Sequence, residues 1–293
     1  MIPFVDAHRG SFGVEPICRE LQVAPSSYYA ARSRPPSARS VSDATLADVI
    51  GRVHRANFGV YGIRKVWKTL RRQGVDAGRD QVARVMGGLG LEGATRTRRI
   101  RTTRPAARGE RPADLVNRTF AAPAPDRLWV ADLTNVWTVR GFVYTAFIVD
   151  VFSRAIVGWR VAASLHTDLA LDALEMAIFA RGPAEGLIHH SDRGSQYLAI
   201  RYTERLAEAE AINSVGSRGD SYDNALAESV NGLYKAELIH RQGPWRTLEQ
   251  VEAATARWVH WWNTGRLHEA CGDIPPAEFE VAYHQRRSTA EAA

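Results

Sequence analysis

The order of segments in this chain predicts an α/β fold, a mixed five-stranded sheet with helices, preceded by an all-α region. Three observations carry that prediction. From about residue 124 the chain alternates short apolar, β-branched runs with helical stretches, whereas residues 14–94 hold short helical patterns broken by proline and glycine. Charge divides at nearly the same place: residues 1–112 carry 21 Lys+Arg against 9 Asp+Glu, and the remainder 17 against 23. Finally, three acids, Asp132, Asp192 and Glu228, interrupt or end stretches that otherwise read as core. A lone carboxylate there is costly unless something positive meets it.

Residues 14–33 read as two short helices around a turn. Val14, Ile17, Cys18 and Leu21 form the apolar face of the first, and Ser26 is the expected N-cap of the second. Pro35-Pro36 breaks the chain. Asp43–Asn57, Ile63–Gln73 and Arg79–Met86 are the next helices, with Gly74 closing the second and Gly87-Gly88 ending the third. Short helices, tight turns and basic faces suit helix-turn-helix DNA binding, with Arg64, Lys65 and Lys68 as candidate phosphate contacts. The competing reading is an ordinary helical bundle. Residues 95–112 hold seven arginines and one acid, too polar for a core, so Arg98, Arg99 and Arg101 are expected to follow a phosphate backbone. The expected organisation is a helix-turn-helix-like segment at 1–40, a DNA-binding helix-turn-helix region at 41–94, a basic linker at 95–123, a catalytic core at 124–285 and a tail at 286–293.

Within the core, Leu128–Val136, Phe142–Val151 and Arg154–Val161 read as strands. Thr167–Arg181 reads as a helix capped by Thr167. Then follow strand Gly186–His190, helix Tyr197–Glu210, strand Ala211–Val215 and helix Asn224–Leu238. Three adjacent strands followed by alternating helices and strands is the order of a ribonuclease-H-like fold. A last helix at 247–264 carries Trp258, Trp261 and Trp262 as core anchors, and Pro275-Pro276 is expected to stop regular structure.

Several classes are disfavoured. No apolar run approaches the roughly 20 residues of a membrane span. The first residues lack a basic region followed by an apolar stretch, so no secretory signal is read. Cys18 and Cys271 are too few for a disulfide framework or a cysteine zinc site. A cytoplasmic setting without membrane contact is expected.

The three acids carry the chemistry. Brought together they would repel and hold protons unless divalent cations bound between them. Oxygen ligands suit Mg²⁺ or Mn²⁺, and two such ions can activate an attacking oxygen and stabilise a leaving one at phosphorus. On the helix of Glu228, Asn224, Asn231 and Lys235 fall on the same face, and Lys235 can contact a phosphate. Blander readings hold elsewhere. His189 is expected to pack and His190 to support the site, without zinc. Asp150 beside Ser153-Arg154 is expected in a turn, and Asp220 and Asp223 in a solvated loop. Ser191 between His190 and Asp192 is not a serine-protease triad, because strand neighbours point to opposite faces.

Spacing sharpens this: 59 residues separate Asp132 from Asp192, and 35 separate Asp192 from Glu228. Trp129-x-x-Asp132-x-Thr134, His189–Tyr197 and Asp223-Asn224-Ala225 ahead of Glu228 and Lys235 resemble the three acidic motifs of bacterial insertion-sequence transposases with a retroviral-integrase-like core. Tyr61-Gly62-Ile63-Arg64 is similar to that family's amino-terminal helix-turn-helix region, and Asn263-x-x-Arg266-x-His268 to its carboxy-terminal pattern. The chain departs from the latter at Cys271, where leucine is usual, and at Asp273, where an aromatic is common. The resemblance covers nearly the whole chain and is closest to the second-reading-frame (OrfB) type. It implies a DDE polynucleotidyl transferase whose triad Asp132, Asp192 and Glu228 binds two Mg²⁺ and joins a 3′-hydroxyl to a new phosphodiester. It also implies terminal inverted repeats and target DNA as substrates, a homo-oligomer on DNA, and an upstream-frame product (OrfA) acting separately or by fusion. Two alternatives stay open on sequence: a ribonuclease-H-like nuclease that only hydrolyses, and a DNA-binding regulator with an inactive core.

Overall fold

The computed structural model describes residues 1–95, 116, 120–182, 186–192, 194–215 and 224–291. The chain divides into two compact units, Met1–Ile50 and Gly51–Ala293.

In the first unit, helices α1 (Ile2–Phe12), α2 (Val14–Glu20) and α3 (Pro25–Ser33) enclose Val5, Ile17, Cys18 and Tyr28. The Tyr28 hydroxyl donates to Asp6 Oδ1 at 2.7 Å, so this small core keeps its one phenol satisfied. Helix α1 was not foreseen; Pro3, in its first turn, loses nothing there because that turn's N–H groups lack helical partners. The same rule corrects the expected cap of α3. The helix begins at Pro25 with Ala24 as N-cap, and Ser26 lies inside it. Helix α4 (Ala38–Ala56) follows.

The second unit opens with α5 (Ile63–Arg72) and α6 (Arg79–Gly88), which bury Val66, Leu70, Val82, Val85 and Met86. Gly87 and Gly88 belong to the last turn of α6 rather than ending it beforehand. The sheet comprises β1 (Leu128–Thr138), β2 (Gly141–Asp150), β3 (Ile156–Ala162), β4 (Ile188–Ser191) and β5 (Ile212–Val215), in the order β3-β2-β1-β4-β5. Strands β1, β2 and β3 pair antiparallel, and β1-β4 and β4-β5 pair parallel. Helices α7 (Thr167–Arg181), α8 (Ile200–Glu208), α9 (Ala225–Tyr234), α10 (His240–Gln242), α11 (Leu248–Thr264) and α12 (Pro276–Glu291) complete it, with a π turn at Lys235–Ile239 between α9 and α10.

Two local expectations are corrected. His166, not Thr167, occupies the N-cap of α7. Pro276 starts α12 instead of stopping regular structure, because a proline fits a first helical turn. Thr247 caps α11, its hydroxyl accepting from Gln250 N.

Alternation along β1 and β2 sorts their side chains onto two faces. Trp129, Ala131, Ala146 and Ile148 pack with Leu169, Ala173, Ala177 and Leu206 of α7 and α8. Their neighbours face the other way: Phe147 meets Tyr234 of α9 and Trp258 of α11 with ring centroids 5.0 and 5.9 Å apart. Gly158 lets β3 approach α7, since a Cβ there would collide with the Ala173 carbonyl. Asp132, on the opposite face of β1 from Trp129 and Ala131, therefore lies on the α9 side. The expectation that the tryptophans are core anchors holds: Trp258, Trp261 and Trp262 are all buried. No helix among the described residues is long and apolar enough to cross a membrane.

Candidate active site

The two aspartates meet through strand register. Parallel strands β1 and β4 pair from Leu128↔Ile188 to Ala131↔Ser191. Asp132 and Asp192 are the next residue on each chain, at one level and on one face, on strands roughly 5 Å apart. Asp192 stands one residue beyond β4 rather than within it. There its Oδ1 accepts from Gly194 N at 2.9 Å, a turn that fixes the carboxylate.

Helix α9 brings Glu228. Two asparagines, four residues before and three after Glu228, fasten it across β1. Asn224 Nδ2 donates to Ala131 O at 2.8 Å, and Asn231 Nδ2 donates to Asp132 Oδ2 at 2.9 Å. Leu133 N donates to the other oxygen, Asp132 Oδ1, at 2.8 Å. Asn231 and Glu228 share a face, so the bond that holds Asp132 also turns Glu228 toward the aspartates. The sequence placed both asparagines on this face; that they bind β1 needed the fold.

Electrostatics agree with proximity. Burial, then the charge of Asp192, pushes the Asp132 carboxyl up to about 7, against the donors Leu133 N and Asn231, with Glu228 adding to the rise. Burial also raises Asp192, opposed by Gly194 N, and the charge of Glu228 raises it further. Among the described residues, however, no three His, Cys, Asp or Glu side chains converge closely enough to ligate one ion. The donor set fits a hard divalent ion: paired carboxylates that accept hydrogen bonds from neutral amides, with the buried Oδ1 atoms of Asn224 and Asn231 lacking hydrogen-bond partners among the described residues.

The other expected residues are placed as follows. Lys235 Nζ, on the π turn, donates to Asn135 Oδ1 at 3.4 Å. His189 packs: it is buried against Tyr202, whose hydroxyl lies 3.0 Å from its Nε2, and burial lowers it to about 3. His190 is buried with Nδ1 2.9 Å from Ser214 Oγ. Asp150 has the expected turn role, accepting from Ser153 N and Oγ and from Asp126 N.

The basic face of α5 is engaged within the protein. Arg64 pairs with Glu269 at 2.7 Å and with Asp273 at 3.3 Å; Lys68 pairs with Asp273 at 3.4 Å and Arg72 with Glu278 at 2.7 Å. Lys65 departs most from expectation. Its ammonium lies 5.1 Å from the Tyr61 ring centroid, and burial, then Arg266, lowers it to about 7, so it is less exposed than Arg64 and carries its charge less firmly. The two departures from the carboxy-terminal pattern thus have local uses. Asp273 meets α5, and Cys271 Sγ donates to Ser153 O at 3.2 Å. Arg98, Arg99 and Arg101, like Asp220 and Asp223, lie outside the described residues.

An integrase core domain family matches residues 122–221, a second integrase core domain family residues 213–276, and an HTH-like domain family residues 41–99. Fold and family matches together define a polynucleotidyl transferase core of the integrase type, with a helix-turn-helix-like region ahead of it. The chain is 55% identical over 273 residues to a putative transposase for insertion sequence element IS986/IS6110 of Mycobacterium tuberculosis, covering 91% of this chain and 98% of that one. It is 51% identical over 292 residues to the transposase for insertion sequence element IS629 of Shigella sonnei, covering 97% of each. The HTLV-2 integrase catalytic core domain in complex with magnesium aligns at 17% identity with a TM-score of 0.45, over 55% of this chain and 99% of that chain. The chain belongs to the transposases of bacterial insertion sequences.

Proposed function

We propose that Asp132, Asp192 and Glu228 are the catalytic triad with which this transposase cuts at the ends of its element and joins the freed 3′-hydroxyl to target DNA. The observation that carries this is the side-by-side placement of Asp132 and Asp192 one step beyond Ala131↔Ser191, with α9 fastened over them. The three acids would hold two Mg²⁺, with Mn²⁺ able to replace them. So bound, these ions would supply Lewis-acid stabilisation of charge at phosphorus and a lowered pKa for the attacking hydroxyl.

The chain's own residues do the rest. Leu133 N and Asn231 hold both Asp132 oxygens in one orientation. Gly194 N does the same for Asp192. Lys235 is a point charge for a DNA phosphate next to the triad. The nucleophile comes from DNA or water, so no covalent bond to the protein forms. Arg64 and Lys68 can exchange exposed ion pairs, worth little in water, for phosphates, and Arg98, Arg99 and Arg101 are assigned the same role from sequence. Residues 41–94 would bind the terminal inverted repeats, 95–123 would link, and 124–285 would carry the chemistry. Joining two ends in one event requires copies of this chain paired on DNA, with the upstream-frame product, separate or fused, as a further end-binding element.

The test is direct. Purified protein, Mg²⁺, a labelled element-end duplex and a target plasmid should give nicked ends and joined products, and Glu228→Gln should abolish both. Joined products from the Glu228→Gln protein would overturn the triad. Hydrolysed ends alone from the parent would make it a nuclease.

A further inference from the structure

Nine residues beyond Glu228 the same helical run contains a second acid, and this one is buried. Glu237 lies within the π turn at 4% exposure, and Arg266, at 5%, meets it with a fork. Arg266 Nη2 donates to Glu237 Oε1 at 2.6 Å, and Nε lies 3.1 and 3.2 Å from the two oxygens. The guanidinium stacks 4.5 Å from the Trp262 ring centroid, and its Nη1 lies 3.4 Å from His268 Nδ1. Burial, then the Arg266 charge, holds His268 far below the usual imidazole range, so it stays neutral beside the guanidinium.

The segment that presents Arg266 is bolted to the sheet. Asn263 exchanges two 2.9 Å hydrogen bonds with Ile156 of β3, its Oδ1 accepting from N and its Nδ2 donating to O. Trp262 Nε1 donates to Arg154 O at 2.8 Å, and Leu267 N donates to Tyr61 Oη at 2.7 Å. A continuous line of directional bonds therefore runs from β3 through Asn263, Arg266 and Glu237 into the π turn, and from α9 through Asn231 to Asp132.

Two physical arguments give that line a role beyond cohesion. A buried ion pair is a poor way to gain stability, because a well-packed apolar pair of similar volume usually does as well or better. What a bidentate fork supplies is a fixed direction. A π turn, moreover, is disfavoured against α-helix and offsets the two segments it joins by about one residue, roughly 100° of relative rotational phase, so fixing one side fixes the phase of the other. It persists where surrounding bonds hold it. Lys235 begins this π turn, and Glu228 and Asn231 lie in the α-turns just before it.

We propose that Arg266 is a positioning residue for strand transfer: by gripping Glu237 it holds the π turn and so sets the phase at which Glu228, Asn231 and Lys235 face Asp132. This rests on the triad assigned above. Neither Arg266 nor Glu237 touches the reacting atoms, and the carboxy-terminal Asn263-x-x-Arg266-x-His268 pattern gains a catalytic consequence at a distance.

The experiment uses the full chain and two variants. Arg266→Lys keeps the charge and loses the fork. The pair Arg266→Met with Glu237→Met removes both charges at similar volume. Expected for each is a melting temperature close to the parent, a KM for element-end DNA within about threefold, and a kcat for strand transfer lower by about ten- to a hundredfold. Backbone amides of 231–239 should exchange with solvent about tenfold faster, with those of α7 unchanged. A kcat within about threefold of the parent, with unaltered exchange at 231–239, in either folded variant would overturn the proposal. Should the double variant not fold, Arg266→Lys decides alone. A parent chain that joins no strands would remove the triad reading instead, and the exchange measurement would still judge the grip on the π turn.

Discussion

The helical run from α9 through the π turn meets two acidic centres with opposite electrostatics. At the Glu237–Arg266 junction the compensating cation comes from the chain itself, forked and stacked between aromatic and histidine neighbours. At Asp132 and Asp192 the bonds that steady the carboxylates come from neutral amides, and the acids push one another's proton affinity up. A closed ion pair fixes geometry. An acid pair whose members raise one another's proton affinity is costly to the fold and useful to chemistry, because a bound divalent cation would relieve that repulsion.

That contrast can be broken at either centre, and the largest effect is expected at the aspartates. Asp132→Asn should lower strand transfer by about a thousandfold or more, since several kcal/mol of transition-state stabilisation depend on ligand charge. The same variant should melt higher than the parent in chelator, because repulsion with Asp192 is relieved; gel analysis of products and a thermal melt check both. A smaller loss, about ten- to a hundredfold in kcat, is expected for Asn231→Ala, which removes a hydrogen bond to a charged group worth about 1.5–3 kcal/mol. Steady-state kinetics with unchanged end-DNA binding would confirm it, and parental kcat would show that Asp132 needs no such anchor.

The third prediction concerns pH. Asp132 is raised to about 7, so between the ordinary carboxylate range and neutrality the folded state binds more protons than the unfolded chain. Its contribution to stability is present at low pH and lost as pH rises through about 7. In chelator the melting temperature should therefore fall by several degrees from this source between pH 5.5 and 8, and saturating Mg²⁺ should remove or reverse that slope. A metal-free protein whose aspartate variant keeps the same slope would contradict it.

The smallest effect belongs to Lys65. Its lowered value, about 7, means that the folded state resists its protonation, so stability is lost as pH falls from the ordinary lysine range to about 7. Lys65→Met should raise the melting temperature by about 2–4 °C at pH 6, less at pH 8.5, and leave the salt dependence of DNA binding unaltered. A shallower salt slope would restore Lys65 as a phosphate contact.

Much of this was legible in sequence because periodicity survives folding. Alternation in Leu128–Val136 and the apolar run before Asp192 announced β1 and β4, and the −4 and +3 spacing put Asn224 and Asn231 on the face of Glu228. Less legible were features whose cause lies far along the chain. Nothing near Lys65 says that Arg266 will come beside it and lower its proton affinity, and nothing near Asp273 says that it will meet Arg64 and Lys68 some 200 residues earlier. Helix α12 was missed because Pro275-Pro276 was read as a stop, although a proline at the first helical position is as consistent with a start.

By itself the sequence determined the order of the five strands and of the helices between them, the three acids and their spacing, since these depend on local residue type and period. Only the tertiary structure decided that β1 and β4 lie parallel in a register that sets Asp132 beside Asp192, and that a π turn clasped by Arg266 continues the helix of Glu228. Register and helix phase are settled by contacts between segments far apart in the chain, 60 residues for Leu128 and Ile188 and 29 for Glu237 and Arg266, and such contacts leave no periodic trace in either segment alone.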